Sequence, residues 1–334
     1  MKLQQLKYLL AIADNGLNIT SAAEKLFTSQ PGVSKQLKLL EEELGMPLFT
    51  RKGKSLAEIT PAGDEVISRA RSIMREVENI RSLASNLHGQ QEGTLSIGTT
   101  HTQARYVLPP VIKAFRERYP KVVLNLHQGT SEQIADMVAA KSIDFAIASG
   151  ANDLFSDLVL LPCYRWDRSI LVPADHELTA IDRELVLEDL ADQPLVTYVY
   201  SFSGQSSLKS AFASRNLKPN VVFTARDADV IKTYVRMGLG VGIVASMAHE
   251  CDDKLVALDA SGLFPRSTTW VGFRKDSVLR QYMVDFMGLF APHLNEKTVQ
   301  KSLSCASQSD VDDLFSNTEL PLVNDCTDAE GAVA

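Results

Sequence analysis

Residues 20–40 read TSAAEKLFTSQPGVSKQLKLL and contain two helical patterns separated by a short turn. Ser21 stands three residues before Glu24, which is the spacing of a capping box, so the first helix is predicted to start near Thr20 or Ser21. The second helix is predicted to begin at Ser29-Gln30-Pro31, because Ser is a good N-cap and Pro is tolerated in a first turn. Its apolar stripe is Val33, Leu37, Leu40 and Leu44.

The polar residues of the second helix face away from that stripe. Gln can pair with adenine, Lys can reach guanine or phosphate, and Ser can contact several bases in a major groove. A helix pair that presents such residues is typical of a helix-turn-helix, whose second helix enters the groove. The alternative is a three-helix bundle, completed by a helix near residues 3–12, whose polar face is only solvated.

A basic turn follows the helix pair. Two short predicted strands over residues 47–60 surround Arg51-Lys52-Gly53-Lys54, and such a tip can hold phosphate beside a reading helix. An isolated basic turn is usually only solvated, so this wing depends on its neighbour. The predicted winged helix-turn-helix covers residues 1–60, and its predicted DNA-binding residues are Thr28, Ser29, Gln30, Pro31, Ser34, Lys35, Lys38, Arg51, Lys52 and Lys54.

A long helix is predicted next, over residues 61–89, with no Gly or Pro from Asp64 to His88. Its apolar residues recur in alternating steps of four and three, which is the spacing of a coiled coil. A two-fold dimer formed there would match an inverted-repeat operator. The alternative is a helix buried in the following domain. The predicted dimerisation seam is Val66, Ala70, Ile73, Val77, Ile80, Ala84 and Leu87.

Charge is distributed unevenly along the chain, whose net charge is −7. Residues 1–60 carry eight Lys and Arg against six Asp and Glu, whereas residues 295–334 carry two Lys against eight Asp and Glu. The head is therefore mildly basic, and this local charge permits DNA binding. The acidic tail, residues 295–334, is predicted to be largely disordered.

From residue 93 the sequence alternates between strand and helix patterns, which predicts βαβ units on a largely parallel sheet. The predicted effector-binding domain covers residues 93–294, with lobe I at about 93–162 and 266–294 and lobe II at about 163–265. Two α/β lobes joined by two crossings form an architecture like that of periplasmic binding proteins. Such a fold places its ligand in the cleft between the lobes.

Hydroxyl-rich segments follow three predicted strands, at residues 99–103 (TTHTQ), 149–150 (SG) and 201–207 (SFSGQSS). Hydroxyl groups and the free N–H groups of a helix N-terminus can bind an anion without any arginine. The alternative is that these residues are ordinary caps and turns. Their convergence on one cleft favours a binding site.

An enzyme is the main alternative from another class. No HExxH, GxSxG or P-loop pattern is present, and the four cysteines lack the spacing of a metal site, so no catalytic residue, metal or cofactor is predicted. The N-terminus lacks the apolar core of a signal peptide, and no apolar run reaches the length of a membrane span. A cytoplasmic location without a membrane partner is expected, which argues against a transport binding protein.

The head resembles the LysR-type family of bacterial regulators. That family's winged helix-turn-helix carries an Ala-Ala pair followed by Ser-Gln-Pro-x-x-Ser, which here are Ala22-Ala23 and Ser29-Gln30-Pro31-Gly32-Val33-Ser34. The later Thr60-Pro61-Ala62-Gly63 also matches the family's linker. The resemblance implies a regulator of α/β class that binds double-stranded operator DNA as a homodimer or homotetramer, with RNA polymerase as a candidate partner.

Three further stretches resemble the cysteine-regulon activators within that family: residues 99–106 (TTHTQARY), 161–166 (LPCYRW) and 227–236 (DADVIKTYVR). The resemblance implies control of sulfur assimilation and cysteine biosynthesis. It also implies a small-molecule effector of the acetylserine type, or sulfate or thiosulfate. Regulation of another pathway, such as nitrogen or sulfonate use, is the alternative. The effector residues carried over are Thr100, Thr102, Gln103, Ser149 and Ser203.

Two of the effector residues, Ser149 and Ser203, depart from the subfamily, which commonly has Thr at both positions. Ser149 and Ser203 keep the hydroxyl group and lose a methyl group. Anion binding is therefore expected to persist, with an altered affinity.

Overall fold

A computed structural model describes residues 1–53, 55–87, 92–149, 155, 158–202, 207–249 and 254–324. The chain divides into two compact units. The head unit comprises residues 1–90 with 140–142, and the sensor unit comprises residues 91–139 and 143–334.

Three helices pack around one apolar core in the head unit, because each presents a stripe of apolar residues at helical spacing. They are α1 (Leu3–Asp14), α2 (Ile19–Lys25) and α3 (Gln30–Leu44). The buried residues that they contribute are Leu6, Leu9, Ile12, Ala22, Ala23, Val33, Leu37 and Leu40.

The starts of α2 and α3 are set by capping side chains. Asn18 caps α2, because its Oδ1 accepts the N–H groups of Thr20 (2.9 Å) and Ser21 (3.1 Å). The predicted start near Thr20 or Ser21 is therefore one or two residues late, since α2 begins at Ile19 and Asn18 accepts its first-turn N–H groups. Ser29 caps α3 as predicted, its Oγ accepting the N–H of Gly32 at 3.3 Å.

The wing is an antiparallel pair of strands, β1 (Phe49–Lys52) and β2 (Ser55–Ile59). The helix α4 (Pro61–Leu87) follows it. A Cβ atom added at Gly63 would lie 2.1 Å from the carbonyl oxygen of Leu48, so only glycine fits where α4 meets the wing.

The first half of α4 packs against α1. Ala70, 1% exposed, lies in the head core beside Ile67, so its predicted place in a dimer seam is wrong. Val66 is half-buried against the same core. Ile73 and Ile80 are 37% and 66% exposed and leave an apolar face open on α4. Among the other predicted seam residues, Val77 is half-buried, and the side chains of Ala84 and Leu87 lie outside the described residues.

Lobe I of the sensor unit is built on a five-stranded sheet with the order β4-β3-β5-β12-β6. β3 pairs in parallel with β4 and β5, whereas β12 pairs antiparallel with β5 and β6. The strands are β3 (Gly93–Thr99), β4 (Val122–Gln128), β5 (Phe145–Ser149), β6 (Leu158–Trp166) and β12 (Ser267–Arg274). The helices of this lobe are α5 (Leu108–Arg118), α6 (Ser131–Ala139) and α10 (Gln281–Phe290).

Lobe II has a second five-stranded sheet, with the order β11-β7-β10-β8-β9. Its strands are β7 (Arg168–Pro173), β8 (Pro194–Tyr198), β9 (Asn220–Ala225), β10 (Val241–Ala245) and β11 (Leu255–Asp259). Its helices are α7 (Leu187–Ala191), α8 (Ser207–Ser214) and α9 (Ala228–Arg236). The first crossing between the lobes is at Asp167, so lobe I extends to Trp166, four residues past the predicted boundary.

The acidic tail is ordered over much of its length. The helices α11 (Glu296–Leu303) and α12 (Gln308–Phe315) bury Val299, Val311 and Phe315. The prediction of a largely disordered tail is therefore wrong for residues 296–324, because its apolar residues at helical spacing find a surface on lobe I. Residues 325–334 lie outside the described part of the chain.

The tail ends along the edge strand β6. The carbonyl oxygen of Pro321 accepts the N–H of Arg165 at 2.8 Å, and the N–H of Val323 donates to the carbonyl oxygen of Arg165 at 2.9 Å. Gln308 of α12 bonds both the N–H and the carbonyl oxygen of Leu160, each at 2.9 Å. The unpaired backbone of this sheet edge is thus covered by the chain itself.

No helix within the described residues is long and apolar enough to cross a membrane.

Candidate DNA-reading surface and effector site

The outward face of α3 carries the predicted reading residues. Gln30, Ser34 and Lys38 follow one another at four-residue spacing and so lie on one side of the helix. The exposed members of the predicted set on and before α3 are Ser29, Gln30, Pro31, Lys35 and Lys38, and the half-buried members are Thr28 and Ser34.

Glu41 joins α3 to the wing. Its Oε1 accepts the N–H groups of Leu48 (2.9 Å) and Phe49 (3.3 Å), and its Oε2 lies 3.1 Å from Arg51 Nη2. Arg51 still has 43% of its side chain exposed and is available to a phosphate. Lys52 is exposed, and Lys54 lies outside the described residues.

Sequence reasoning did not single out Glu41. It stands in a run of three glutamates, and no local pattern distinguishes the one that faces the wing from its neighbours. The wing is therefore positioned by a residue that only the tertiary structure identifies.

In the sensor unit, Gln103 is held inside lobe I by two partners. Its Nε2 donates to Thr269 Oγ1 of β12 at 3.4 Å, and its Oε1 accepts the hydroxyl hydrogen of Tyr164 from β6. Gln103 is 2% exposed. It begins a π-helical turn, Gln103–Val107, between β3 and α5. Such turns are frequent at functional sites.

Ser149, the last residue of β5, belongs to the same network. Its Oγ lies 2.7 Å from Thr269 Oγ1 and accepts the indole N–H of Trp166 at 3.2 Å. Its carbonyl oxygen accepts the hydroxyl hydrogen of Ser131 at 3.1 Å. Thr269 thus brings together Gln103 and Ser149, which the sequence places on separate strand ends.

Thr102 precedes Gln103 and lies close to lobe II. It is 7% exposed, and its side chain is near enough to the hydroxyl group of Tyr198, the last residue of β8, to influence the pKa of that phenol. Burial raises the pKa of that phenol, although hydrogen bonds from Thr102 and Ala245 and the charges of Arg168 and Lys232 oppose the increase. The residues that sequence reasoning missed are Tyr164, Trp166, Tyr198 and Thr269.

The remaining predicted residues are less constrained. Thr100 is half-buried, and its carbonyl oxygen accepts the N–H of Ala104 at 3.1 Å at the start of the helix. Ser203 lies outside the described residues. Within the described part of the chain, Thr99 Oγ1 and His101 Nδ1 are buried without a hydrogen-bond partner. The carboxyl end of β3 is therefore followed by polar atoms that make no hydrogen bond within the described residues.

Asp229 joins the two lobes beside this site. Its carboxylate accepts the hydroxyl hydrogen of Tyr106 at 2.7 Å and lies 3.2 Å from Lys232 Nζ, with His101 at 3.7 Å and Arg105 at 3.6 Å. Burial alone would raise the pKa of this carboxyl, but the hydrogen bonds from Tyr106 and Lys232 and the charges of Lys232 and Arg105 together lower it.

Besides Lys232, a second cation at this junction is Arg168, which is the first residue of β7 at the crossing between the lobes. It is 8% exposed, and its guanidinium lies 5.5 Å from the ring centre of Trp166 and 5.7 Å from that of Phe264. Burial lowers its pKa. Hydroxyl groups, the buried amide of Gln103 and the buried cations Lys232 and Arg168 therefore lie near the junction of the lobes. Such a setting is suited to a small anion. No group of three or more potential metal ligands occurs within the described residues.

Both units match family models of bacterial regulators. Residues 3–64 match "Bacterial regulatory helix-turn-helix protein, lysR family", and residues 88–295 match "LysR substrate binding domain". The chain belongs to the LysR family of transcriptional regulators. It is a DNA-binding regulator, and both matched families are families of regulators rather than enzymes.

Similar proteins indicate which regulators within the LysR family this chain resembles. The chain is 49% identical to the HTH-type transcriptional regulator CysB of Haemophilus influenzae, over 96% of this chain and 99% of that protein. It is 44% identical to the HTH-type transcriptional regulator SsuR of Burkholderia cenocepacia, over 90% of this chain and 97% of that protein. The cofactor-binding domain of the Cbl transcriptional regulator has a similar structure, with a TM-score of 0.60 and 42% identity over 64% of this chain and 93% of that domain. The predicted resemblance to CysB-like LysR-type regulators is confirmed.

Proposed function

We propose that this regulator senses a small sulfur oxyanion or an acetylated serine in the cleft of its sensor unit. It would respond by changing the transcription of genes for sulfur assimilation and cysteine biosynthesis. The observation that carries the proposal is the network in which Thr269 joins Gln103 and Ser149 (3.4 and 2.7 Å), beside Thr102. The 49% identity to a CysB protein supports the choice of pathway.

The network contains donors that suit an anion. The indole N–H of Trp166 can only donate, so Ser149 Oγ accepts from it, and a single hydrogen lies between Ser149 Oγ and Thr269 Oγ1, either of which can donate. Gln103 Nε2 has a second hydrogen besides the one that it donates to Thr269. Donors that are already oriented by the protein bind an anion without first being reorganised, and a carboxylate, sulfate or thiosulfate oxygen would accept from them.

Ligand binding would favour closure of the lobes. Thr102 belongs to lobe I and the nearby Tyr198 belongs to lobe II, so a ligand bound beside these two side chains would contact both lobes. A ligand shifts an equilibrium only through its different affinities for the two states. Contact with both lobes supplies that difference.

Calorimetry tests the proposal with four probes: sulfate, thiosulfate, O-acetylserine and N-acetylserine. We expect at least one to bind the parent protein, and Thr102→Ala and Ser149→Ala to weaken it. Ser214→Ala is the matched control, because it removes a hydroxyl group from an exposed position at the end of α8. If none of the four probes binds, the regulator responds to another pathway. If the two cleft variants bind like the parent protein, the site is elsewhere and the hydroxyl groups are caps.

We also propose that α4 dimerises the protein on operator DNA through the face that contains Ile73 and Ile80. Both side chains are exposed in the single chain, and an apolar stripe of this kind on a long helix is stabilised by a second copy. Assembly into a tetramer and contact with RNA polymerase stay predictions from the family resemblance.

A further inference from the structure

The turn between α2 and α3 carries an aromatic side chain that the head unit does not use. Phe27 is 98% exposed, the highest value among the large apolar side chains of the described residues. Its backbone has a φ of +50°, in the left-handed region that costs any residue with a Cβ atom free energy. The turn of a helix-turn-helix often contains glycine. Glycine would therefore serve the fold better than Phe27 does.

A comparison with Leu17 shows that the fold does not demand this arrangement. Leu17 also has a positive φ, of +62°, but its side chain packs against the head core and so contributes to stability. Phe27 has a similarly unfavourable backbone conformation, but its side chain is exposed and does not stabilise the head. A residue that is both strained and exposed indicates a role outside the folded head.

The backbone holds Phe27 in a defined place. Its N–H donates to the carbonyl oxygen of Glu24 at 3.1 Å, and the next N–H, of Thr28, donates to the carbonyl oxygen of Ala23 at 2.9 Å. The ring stands immediately before Thr28 and the cap Ser29, which lead into the reading helix. Its position relative to Gln30 is therefore set by the turn.

We propose that Phe27 is a DNA-contacting residue, whose ring packs on deoxyribose and thymine methyl groups at the rim of the major groove when α3 enters it. The inference rests on the DNA-binding function of the head. Apolar side chains recognise the thymine methyl group in this way. Exposed residues near Phe27 in the sequence include Lys25 and Ser29, and Lys35 is exposed on α3, whereas Glu24 is an exposed acidic neighbour. Charges of this kind suit a nucleic acid better than an apolar protein groove.

Two substitutions separate the ring from the backbone. Phe27→Gly removes the ring and relieves the left-handed strain, whereas Phe27→Tyr keeps a ring. The probe is a duplex selected from a random pool by the full-length parent protein, with a scrambled duplex for comparison. We expect Phe27→Gly to melt at the parent temperature or above while its affinity for the selected duplex falls about tenfold, as the loss of a buried aromatic contact predicts. Phe27→Tyr should retain the parent affinity.

Met237→Gly is the matched control, because Met237 is 74% exposed and lies in the sensor unit. It should leave the affinity for the duplex unchanged. Parent-like binding by Phe27→Gly would overturn the proposal. Weaker binding with a lower melting temperature would also overturn it, since the loss would then come from folding. If the parent protein selects no duplex from the pool, the DNA-binding assignment fails instead.

Discussion

Asn324 bonds Asp167 through both ends of its amide: its Oδ1 accepts the backbone N–H of Asp167 at 3.1 Å, and its Nδ2 donates to Asp167 Oδ2 at 3.3 Å. Asp167 is the crossing between lobe I and lobe II, and Ser246 at the end of β10 donates to the same Asn324 oxygen at 3.0 Å. The tail therefore contacts the junction of the lobes and one strand of lobe II.

Asn324→Ala should lower the free energy of unfolding by about 1–2 kcal/mol, because it removes hydrogen bonds from the partly buried Asp167 and Ser246. Urea unfolding of the full chain measures the change. Asn220→Ala, at an exposed position at the start of β9, is the control and should have no effect. Equal stability of both variants would show that the tail does not support the junction.

Asp229→Asn should destabilise the closed arrangement of the lobes, since Lys232 is 2% exposed and would lose a carboxylate at 3.2 Å. Because Asp229 is 41% exposed, we expect a loss of about 1 kcal/mol rather than that of a fully buried pair. Small-angle scattering should detect a more open sensor unit. An unchanged scattering profile and melting temperature would contradict this role.

The same carboxyl predicts a dependence on pH. Its pKa is lowered in the folded protein, so its contribution to stability is full above the ordinary Asp value of about 3.9 and is lost as the pH falls through the folded value. The parent protein should therefore lose stability more steeply below about pH 4 than Asp229→Asn does. Thermal melts of both proteins in a pH series provide the measurement. Parallel curves would exclude Asp229 as a source of the acid sensitivity.

Thr102→Ala should weaken effector binding about tenfold or more, because a hydrogen bond to a charged group contributes about 1.5–3 kcal/mol. Operator binding without effector should persist, and the response to effector should be lost. Gel-shift titrations with and without the effector found by calorimetry measure both properties. A variant that responds like the parent protein would place the effector away from Thr102.

Ile73→Asp should disrupt the proposed dimer, because a charge in an apolar seam costs several kcal/mol. Ala70→Asp should instead destabilise the head, since Ala70 is 1% exposed within its core. Light scattering and thermal melts distinguish the two effects. A parent-like mass for Ile73→Asp would remove this face from the interface.

The reading residues should separate into two kinds. Lys52→Ala should weaken binding to all duplexes similarly and reduce the salt dependence by about one unit, as expected for a phosphate contact. Gln30→Ala should change which bases are preferred. Selection from a random pool tests both, and an unchanged preference for Gln30→Ala would remove it from the reading set.

Features that depend on neighbouring residues along the chain could be predicted from the sequence. Ser29 and Pro31 start α3 through first-turn chemistry, and the stripe of Val33, Leu37 and Leu40 is buried as its spacing indicates. The fold class followed from such local patterns. Asn18 shows the limit, since it caps α2 through the N–H groups of Thr20 and Ser21, although the capping-box spacing indicated Ser21 as the cap.

The effector site could be predicted only in part. Gln103 and Thr269 are 166 residues apart. The sequence predicts that residues 266–294 return to lobe I, but no local pattern indicates which strand β12 lies beside. Composition misled at the tail, because the charges obscured the three apolar residues that α11 and α12 bury. Spacing misled at Ala70, because a heptad pattern does not reveal which of its residues the head core already occupies.

The start of α4 packs closely against the wing. Gly63 admits no side chain against Leu48, and the Arg71 guanidinium binds the Asp14 carboxylate with both nitrogens where α4 crosses α1. The first half of α4 is therefore held against both the wing and α1 of the head. In a dimer built on the face with Ile73 and Ile80, a change in the angle between the two long helices would move the two heads, and α4 would act as a lever arm that sets the separation of the recognition surfaces.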